Sequence, residues 1–293
     1  MKRLLTLAAM VLLCTAGAGL ASAAIAPTAH GSIAAHHATP TPPSTPAPLM
    51  VPAPADQAAV AAKTEQAIRA VLPSAQVGFE VFDRPNGTVL TSQDAGRQFA
   101  SMSLVKLLIA LDVLAIDNWA IPDGATQQEL RQMLADSDDG IADDLWSADG
   151  GPAVVTRMVG LLGLTGTQPP EDPDEWGDTL ITAQDMVTVY RYITDQLPNS
   201  DRELLLGALE QARQIAADGF DQYFGIPDGM PHTTWAIKQG WGTSGSQAVL
   251  NSTGLVGPDL RYVVVVLASA PANSYSTVPA AVTAGVRALA ASM

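Results

Sequence analysis

The sequence predicts an α+β fold in which one sheet is assembled from both ends of the chain and a helical lobe is inserted between them. Strand-like segments flank the turn-forming pair Asn86-Gly87, and further strand-like segments follow Pro231. Between these two groups, apolar residues recur with helical spacing. The α/β part is therefore expected over about 56–102 and 218–293, and the helical lobe over about 103–217.

The segment ahead of this domain has two parts. Residues 1–23 are predicted to be a secretory signal, because Met1-Lys2-Arg3 is basic, residues 4–20 are almost entirely apolar, and Ala21-Ser22-Ala23 suits cleavage. Residues 24–55 contain no charged side chain and many prolines, which is typical of a disordered linker. No later apolar stretch is long enough to span a bilayer. The folded domain, 56–293, is therefore expected to act outside the cytoplasm, secreted or in the cell envelope.

The positions of the cysteine and histidine residues limit the kinds of catalytic and metal site that the protein can have. Cys14 is the only cysteine and lies within the predicted signal, so the mature chain has no thiol for a disulfide, a nucleophile or a metal. Lipid attachment at Cys14 is the less favoured alternative, since Val11-Leu12-Leu13 lacks the small residue usual before a lipidated cysteine. His30, His36 and His37 lie in the linker, where solvation is the favoured interpretation over metal binding. No cofactor or metal is expected.

The net negative charge of the chain makes negatively charged partners unfavourable. The chain carries 15 Lys and Arg against 29 Asp and Glu, a formal charge of −14, and losing Lys2 and Arg3 with the signal takes it to −16. No run of basic residues offsets this charge, so nucleic acid and anionic membrane surfaces are not expected partners. We expect a monomer whose ligand is a small molecule.

The elements follow in order from local patterns. The first helix is predicted at 55–72, with Asp56 as the N-cap and Pro73 as the stop. A hairpin is predicted from strands 76–83 and 88–92. The lobe is predicted to contain helices at 104–116, 126–134, 152–162, 182–197 and 201–217. Strands at 233–241, 247–256 and 261–268 and a helix at 278–291 complete the domain.

Three short motifs carry the candidate chemistry. Ser103-Leu104-Val105-Lys106 places a hydroxyl and an amine three residues apart at a helix start, where the amine can take the hydroxyl proton. Ser137-Asp138-Asp139-Gly140, interpreted as the end of a helix, offers a second hydroxyl for proton relay. Lys238-Gln239-Gly240 lies on a predicted strand. Only four lysines occur in the chain, and two of the three in the mature protein occupy these motifs.

Other interpretations remain for each motif. Lys106 could simply extend along an apolar helix, although burying a lysine without a partner is costly. Ser137 could lie at a solvated helix end, and Lys238 could be an ordinary strand charge. A Ser-His-Asp site is disfavoured because His232 is the only histidine of the folded region, and residues 242–246 lack the second glycine of Gly-x-Ser-x-Gly. His232 is therefore interpreted as structural.

In their order, the motifs resemble those of the class A β-lactamases and penicillin-binding serine D,D-peptidases, of actinobacterial type, namely Ser-x-x-Lys, Ser-Asp-Asn and Lys-[Thr/Ser]-Gly. The resemblance covers about residues 55–293. It implies a serine hydrolase with an antiparallel sheet flanked by helices. It also implies site roles: Ser103 as nucleophile, Lys106 as base, Ser137 as proton shuttle, substrate binding by Asp139, Lys238 and Gly240, and an oxyanion hole from the backbone N–H groups of Ser103 and Trp241.

Two departures from the family pattern bear on turnover. Asp139 stands where the family has asparagine, and a carboxylate accepts hydrogen bonds but cannot donate them. Residues 166–178 lack the family's Glu-x-x-Leu-Asn pattern, so Glu171 and Glu175 are the nearest candidates for a deacylating base. The expected function is acyl-enzyme formation with a β-lactam or a D-Ala-D-Ala-like peptidoglycan stem peptide. The alternative is a pseudoenzyme or cell-wall peptide receptor with slow or no deacylation.

Overall fold

The structure is a computed structural model that describes residues 54–291 and 293. Its strands are β1 (Gln76–Asp83), β2 (Thr88–Gln93), β3 (Phe99–Ala100), β4 (Leu180–Ile181), β5 (Trp235–Ser244), β6 (Gln247–Val256) and β7 (Tyr262–Pro271). Its helices are α1 (Pro54–Val71), α2 (Val105–Ile116), α3 (Gly124–Ala135), α4 (Asp139–Ala148), α5 (Pro152–Leu162), α6 (Ala183–Asp195), α7 (Asn199–Glu210), α8 (Ile226–Gly229) and α9 (Val278–Ala290).

Five strands form one antiparallel sheet in the order β2-β1-β7-β6-β5. The strand pair β1 and β2 comes from before the helical segment and the other three strands come from after it, which is the predicted assembly from both ends of the chain. The short strands β3 and β4 pair separately. The predicted fold class is confirmed.

The central strand β7 separates two apolar cores. Val263 and Val265 face the core that the helical segment shares, whereas Val264 and Val266 face a second core packed with α1 and α9. Alternate side chains of a strand point to opposite faces, so a strand covered on both sides carries a continuous apolar run. The sheet is thus a fixed support, with β5 at the edge beside the motif residues.

Two predicted elements were wrong. The helix predicted at 201–217 ends at Glu210, because the following backbone bonds to other parts of the chain: the amides of Arg213 and Ala217 donate to the carbonyls of Ala135 and Asp136. Tertiary hydrogen bonds replace helical ones along 211–217.

The placement of Ser137 to Gly140 at a helix end also needs correction. Helix α3 ends at Ala135, Ser137 lies in the turn, and Asp139 begins α4, which the sequence patterns missed. The Asp138 side chain accepts a hydrogen bond from the Ile141 amide at 3.2 Å and caps α4. Ser137 therefore lies just after the end of α3, near its predicted position, whereas Asp139 and Gly140 belong to the start of the next helix.

The predicted signal, 1–23, and all but the end of the predicted linker, 24–55, lie outside the described residues, and the domain boundaries stay predictions. Within residues 54–291, no helix is long and apolar enough to cross a bilayer.

Candidate active site

Ser103 of the first motif and Asp139 of the second line a cleft of about 440 Å³. Its walls come from the turn before α2, the start of α4, the 174–178 segment, strand β5 and Tyr275. The lining residues are Met102, Ser103, Asp139, Asp143, Asp174, Glu175, Trp176, Gly177, Asp178, Asp218, Trp241, Gly242, Thr243 and Tyr275.

Ser103 is held in a single 3-10 turn that leads directly into α2. Met102 beside it has a φ of +49°, in the left-handed region that non-glycine residues rarely adopt. The turn is tied from two sides: the Ser101 amide donates to the Thr179 carbonyl at 2.8 Å, and the Asn251 amide side chain donates to the Ser101 carbonyl at 3.2 Å. Contacts from distant segments therefore maintain the strained turn that presents the Ser103 hydroxyl.

Lys106 lies beneath Ser103 with 0% of its surface exposed. Its Nζ donates to Ser103 Oγ at 2.8 Å and to Asp139 Oδ1 at 2.5 Å, and it lies 4.3 Å from the centroid of the Trp176 ring. Burial lowers the pKa of Lys106, and the Asp139 carboxylate opposes this shift by favouring the ammonium form. The hydroxyl and amine of the first motif are thus in direct contact, while the role of Lys106 as a base stays a prediction.

Lys238 and Ser137 form a second pair. Lys238 Nζ donates to Ser137 Oγ at 2.8 Å and to the Gln239 carbonyl at 3.0 Å. Ser137 has a φ of +55°, so a left-handed turn between α3 and α4 aims its hydroxyl at β5. Burial lowers the pKa of Lys238 well below its usual range, and the positive charge of Lys106 lowers it further. The two hydroxyl–amine pairs are therefore electrostatically coupled.

Strand β5 packs directly against the turn that holds Ser103. A Cβ on Gly240 would lie 2.7 Å from the Ser101 carbonyl oxygen and 3.2 Å from the Ser103 amide nitrogen, so only glycine fits there. The next residue, Trp241, stacks on Phe220 with ring centroids 4.8 Å apart. This close approach brings the Trp241 backbone into the same cleft as Ser103.

Four of the predicted site residues line the cleft, namely Ser103, Asp139, Glu175 and Trp241. Glu171 does not line it, and His232 is exposed outside it. Proximity does not test their roles, which stay predictions. Within residues 54–291, no group of three or more His, Cys, Asp or Glu is placed to hold a metal.

Two features of the cleft were missed. Trp176 lies against Lys106, and its indole N–H donates to Asp143 Oδ1 at 2.7 Å. The second feature is an acidic lining without any Lys or Arg side chain among the residues named above, comprising Asp139, Asp143, Asp174, Glu175, Asp178 and Asp218. The available signal was the high density of acidic residues in 136–144 and 171–178, whose convergence on one cleft depends on the tertiary fold.

No family model matches the sequence. Among curated proteins, LppW of Mycobacterium tuberculosis, provisionally named as a lipoprotein, is 35% identical over 219 residues, which cover 73% of this chain and 69% of the relative. The Mycobacterium bovis protein of the same name matches equally well. The chain belongs to the LppW family. The name of these relatives describes a lipoprotein and states no enzymatic activity.

Solved structures identify the fold of this LppW-family protein. A class A β-lactamase from Bacteroides cellulosilyticus superposes with a TM-score of 0.61 at 16% identity over 79% of this chain and 99% of that one. PBP-A superposes with a TM-score of 0.61 at 19% identity over 78% of this chain and 94% of that one. A β-lactamase from Streptosporangium roseum gives 0.61 at 19% identity over 79% and 100%. At these identities the similarity establishes a β-lactamase-like fold.

Proposed function

We propose that this chain is an exported serine acyl-transfer protein that forms an acyl-enzyme at Ser103 with a β-lactam or a D-Ala-D-Ala-like peptide. One observation carries the proposal: Lys106 Nζ lies 2.8 Å from Ser103 Oγ, which lines the cleft, and Lys238 Nζ lies 2.8 Å from Ser137 Oγ. A nucleophile next to a base and a second hydroxyl next to a cation are the groups that acyl transfer requires.

In the proposed reaction, Ser103 Oγ attacks the substrate carbonyl carbon as its proton passes to Lys106. The backbone N–H groups of Ser103 and Trp241 stabilise the negative oxygen. The C–N bond then breaks, and Ser137 gives its proton to the leaving nitrogen while it takes a replacement proton from the Lys238 ammonium, which donates to its Oγ. Lys238, with Asp139 and Gly240, is proposed to bind the substrate, with the Lys238 ammonium facing its carboxylate.

Deacylation requires a water molecule activated near the ester. Glu175 is the better of the two proposed bases because it lines the cleft, whereas Glu171 lies outside it. A PBP-A mutant with the same fold has been solved as an acyl-enzyme complex with penicillin G. This precedent supports a penicillin as the first probe.

A second candidate function is a binding protein with slow or no turnover. The observation in its favour is the contact of 2.5 Å between Asp139 and Lys106, because an ammonium stabilised by a carboxylate is a poor proton acceptor. The name of the LppW relatives supports location in the cell envelope. We propose export to the envelope, with lipid attachment through Cys14 as the alternative to release.

The test is the intact mass of the purified mature domain, followed over time with a penicillin. Ser103→Ala removes the proposed nucleophile, and Ser246→Ala, in an exposed turn outside the cleft, is the matched serine control. We expect one added penicillin on the wild type and on Ser246→Ala, and none on Ser103→Ala. A persistent adduct supports the binding protein, and a transient adduct with loss of drug supports a β-lactamase. An adduct retained by Ser103→Ala, or no adduct on any protein, would reject the proposal for β-lactams.

A further inference from the structure

Lys106 has an unusual set of neighbours for a proposed base. Its Nζ contacts Ser103 Oγ at 2.8 Å, Asp139 Oδ1 at 2.5 Å and the Trp176 ring at 4.3 Å from the centroid. The carboxylate and the aromatic face both stabilise a positive charge. Two of the three neighbours therefore favour the ammonium, which cannot accept the Ser103 proton.

Asp139 is the carboxylate in direct contact with Lys106. Asp138 and Asp143 also favour the ammonium, but through space, and the Asp143 side chain already accepts a hydrogen bond from Trp176. Lys238, on β5, is the cation coupled to Lys106. Glu175 and Asp178 face the cleft from the 174–178 segment without a hydrogen bond or ion pair to Lys106.

Solvent reaches one half of this ion pair. The side chain of Asp139 is 56% exposed and that of Lys106 is 0% exposed. Water screens part of the attraction at Asp139, but the Lys106 ammonium is buried away from the solvent and depends on its protein partners. Replacing the carboxylate therefore acts on the charge state of Lys106 more than on the stability of the fold.

We propose that Asp139 is a positioning residue that controls whether Lys106 can accept the Ser103 proton. The inference rests on the proposed function, and concerns regulation of the same site. An asparagine at 139 would keep an oxygen acceptor for Lys106 Nζ while removing the negative charge. Lys106 would stay in place but become neutral at lower pH.

The first experiment is the pH dependence of Ser103 acylation over roughly pH 5 to 9 for the wild type, Asp139→Asn and Asp143→Asn. The two substitutions remove the same charge from the same cleft, and only the first touches Lys106. Because loss of the carboxylate lowers the pKa of Lys106, the part of the pH–rate profile in which acylation rises with pH, here called the rising limb, should move to lower pH. Acylation on that limb should be about tenfold faster. Asp143→Asn should shift the limb much less.

The second experiment is independent of any substrate. The mature chain contains only Lys63, Lys106 and Lys238, so carbon-13 labelling of the lysine ε-carbons should give three resonances, assigned with Lys63→Arg and Lys106→Arg. The Lys106 resonance should titrate at lower pH in Asp139→Asn than in the wild type. Lys63, which is exposed on α1, serves as the internal reference.

The outcomes separate this inference from the proposed function. A shifted Lys106 titration without acylation of any variant supports the role of Asp139 and rejects the proposed β-lactam chemistry. An unchanged Lys106 titration in Asp139→Asn, or an equal shift in Asp143→Asn, overturns the inference. The inference is also overturned if Asp139→Asn changes the maximum acylation rate at high pH but does not move the rising limb of the pH–rate profile. That result would identify a substrate-binding role for Asp139.

Discussion

Among single residues, the buried charges differ in whether they have partners. Lys106 and Lys238 are 0% and 1% exposed, and each has a hydroxyl partner. Asp201 is also 0% exposed, but neither of its carboxylate oxygens has a hydrogen-bond partner within the described residues. A buried polar group without a partner costs stability. The lysines fit a functional site, whereas Asp201 is a structural cost.

Asp201→Asn is expected to stabilise the domain at neutral pH by about 1 kcal/mol, because a neutral amide costs less to bury without a partner than a carboxylate does. Burial raises the pKa of Asp201, so its protonated form favours the folded state. The contribution of Asp201 to the free energy of unfolding is therefore most favourable below the usual aspartate pKa near 3.9. It is lost as the pH rises through the raised pKa of the folded state. Urea unfolding at several pH values tests this.

The matched control for Asp201 is Glu203→Gln, which removes one charge from an exposed position on the same helix. It should change the unfolding free energy little. If Asp201→Asn is no more stable than the wild type at pH 7, burial of the Asp201 charge does not destabilise the domain. The same conclusion holds if the variant remains more stable than the wild type at pH 3, where the carboxylate is protonated.

Among elements, α2 carries the proposed base and is tied to α5 by an ion pair in which only the carboxylate is buried. Arg157 Nε and one terminal nitrogen donate to the two Asp112 oxygens at 2.8 and 2.5 Å. The Asp112 side chain is 1% exposed, while that of Arg157 is 40% exposed. The same guanidinium donates to the Asp149 carbonyl at 2.7 Å. This contact fixes the helix that presents Lys106.

Arg157→Met should destabilise the domain by about 2 kcal/mol, because it leaves the Asp112 carboxylate buried and unpaired. The value lies below the usual cost of breaking a fully buried pair, since Arg157 is partly exposed. Chemical denaturation measures the loss. The double variant Asp112→Asn with Arg157→Met should recover part of it, and Arg131→Met on the exposed side of α3 is the control. Equal losses in both arginine variants would contradict the proposed pairing.

Across the whole molecule, negative charge surrounds the proposed substrate site. The chain has a formal charge of −14, and the cleft is lined by six carboxylates with Lys106 and Lys238 buried beneath them. An anionic β-lactam therefore approaches against a repulsive field before it meets a cation. The field should slow capture of anionic ligands more than of zwitterionic ones.

Acylation by an anionic penicillin should become several-fold faster as the ionic strength rises from roughly 0.01 to 0.15 M, because salt screens the repulsion between the drug and the acidic cleft. A penicillin that also carries an ammonium group should respond much less. The measurement is the second-order rate constant of adduct formation at each salt concentration. A rate that falls with salt for the anionic drug would mean that the buried lysines dominate the field.

The amino-acid sequence alone determined the local elements and the order of the motifs. Apolar periodicity placed β1, α5 and β6 correctly, because strands and helices bury side chains at characteristic spacings. The spacing of Ser103 and Lys106 on one helical turn brought their side chains together as expected. These features depend on neighbours within a few residues.

The tertiary structure decided the features that depend on residues far apart in the chain. The backbone after Glu210 leaves the helix because it bonds to Ala135 and Asp136. Trp176 meets Lys106 only because the segment before β4 folds over α2, and Asp139 reaches Lys106 only because α4 begins there. Local periodicity records which face of an element is buried but not which distant side chain covers it. The environment of a buried charge is therefore set by the assembled fold.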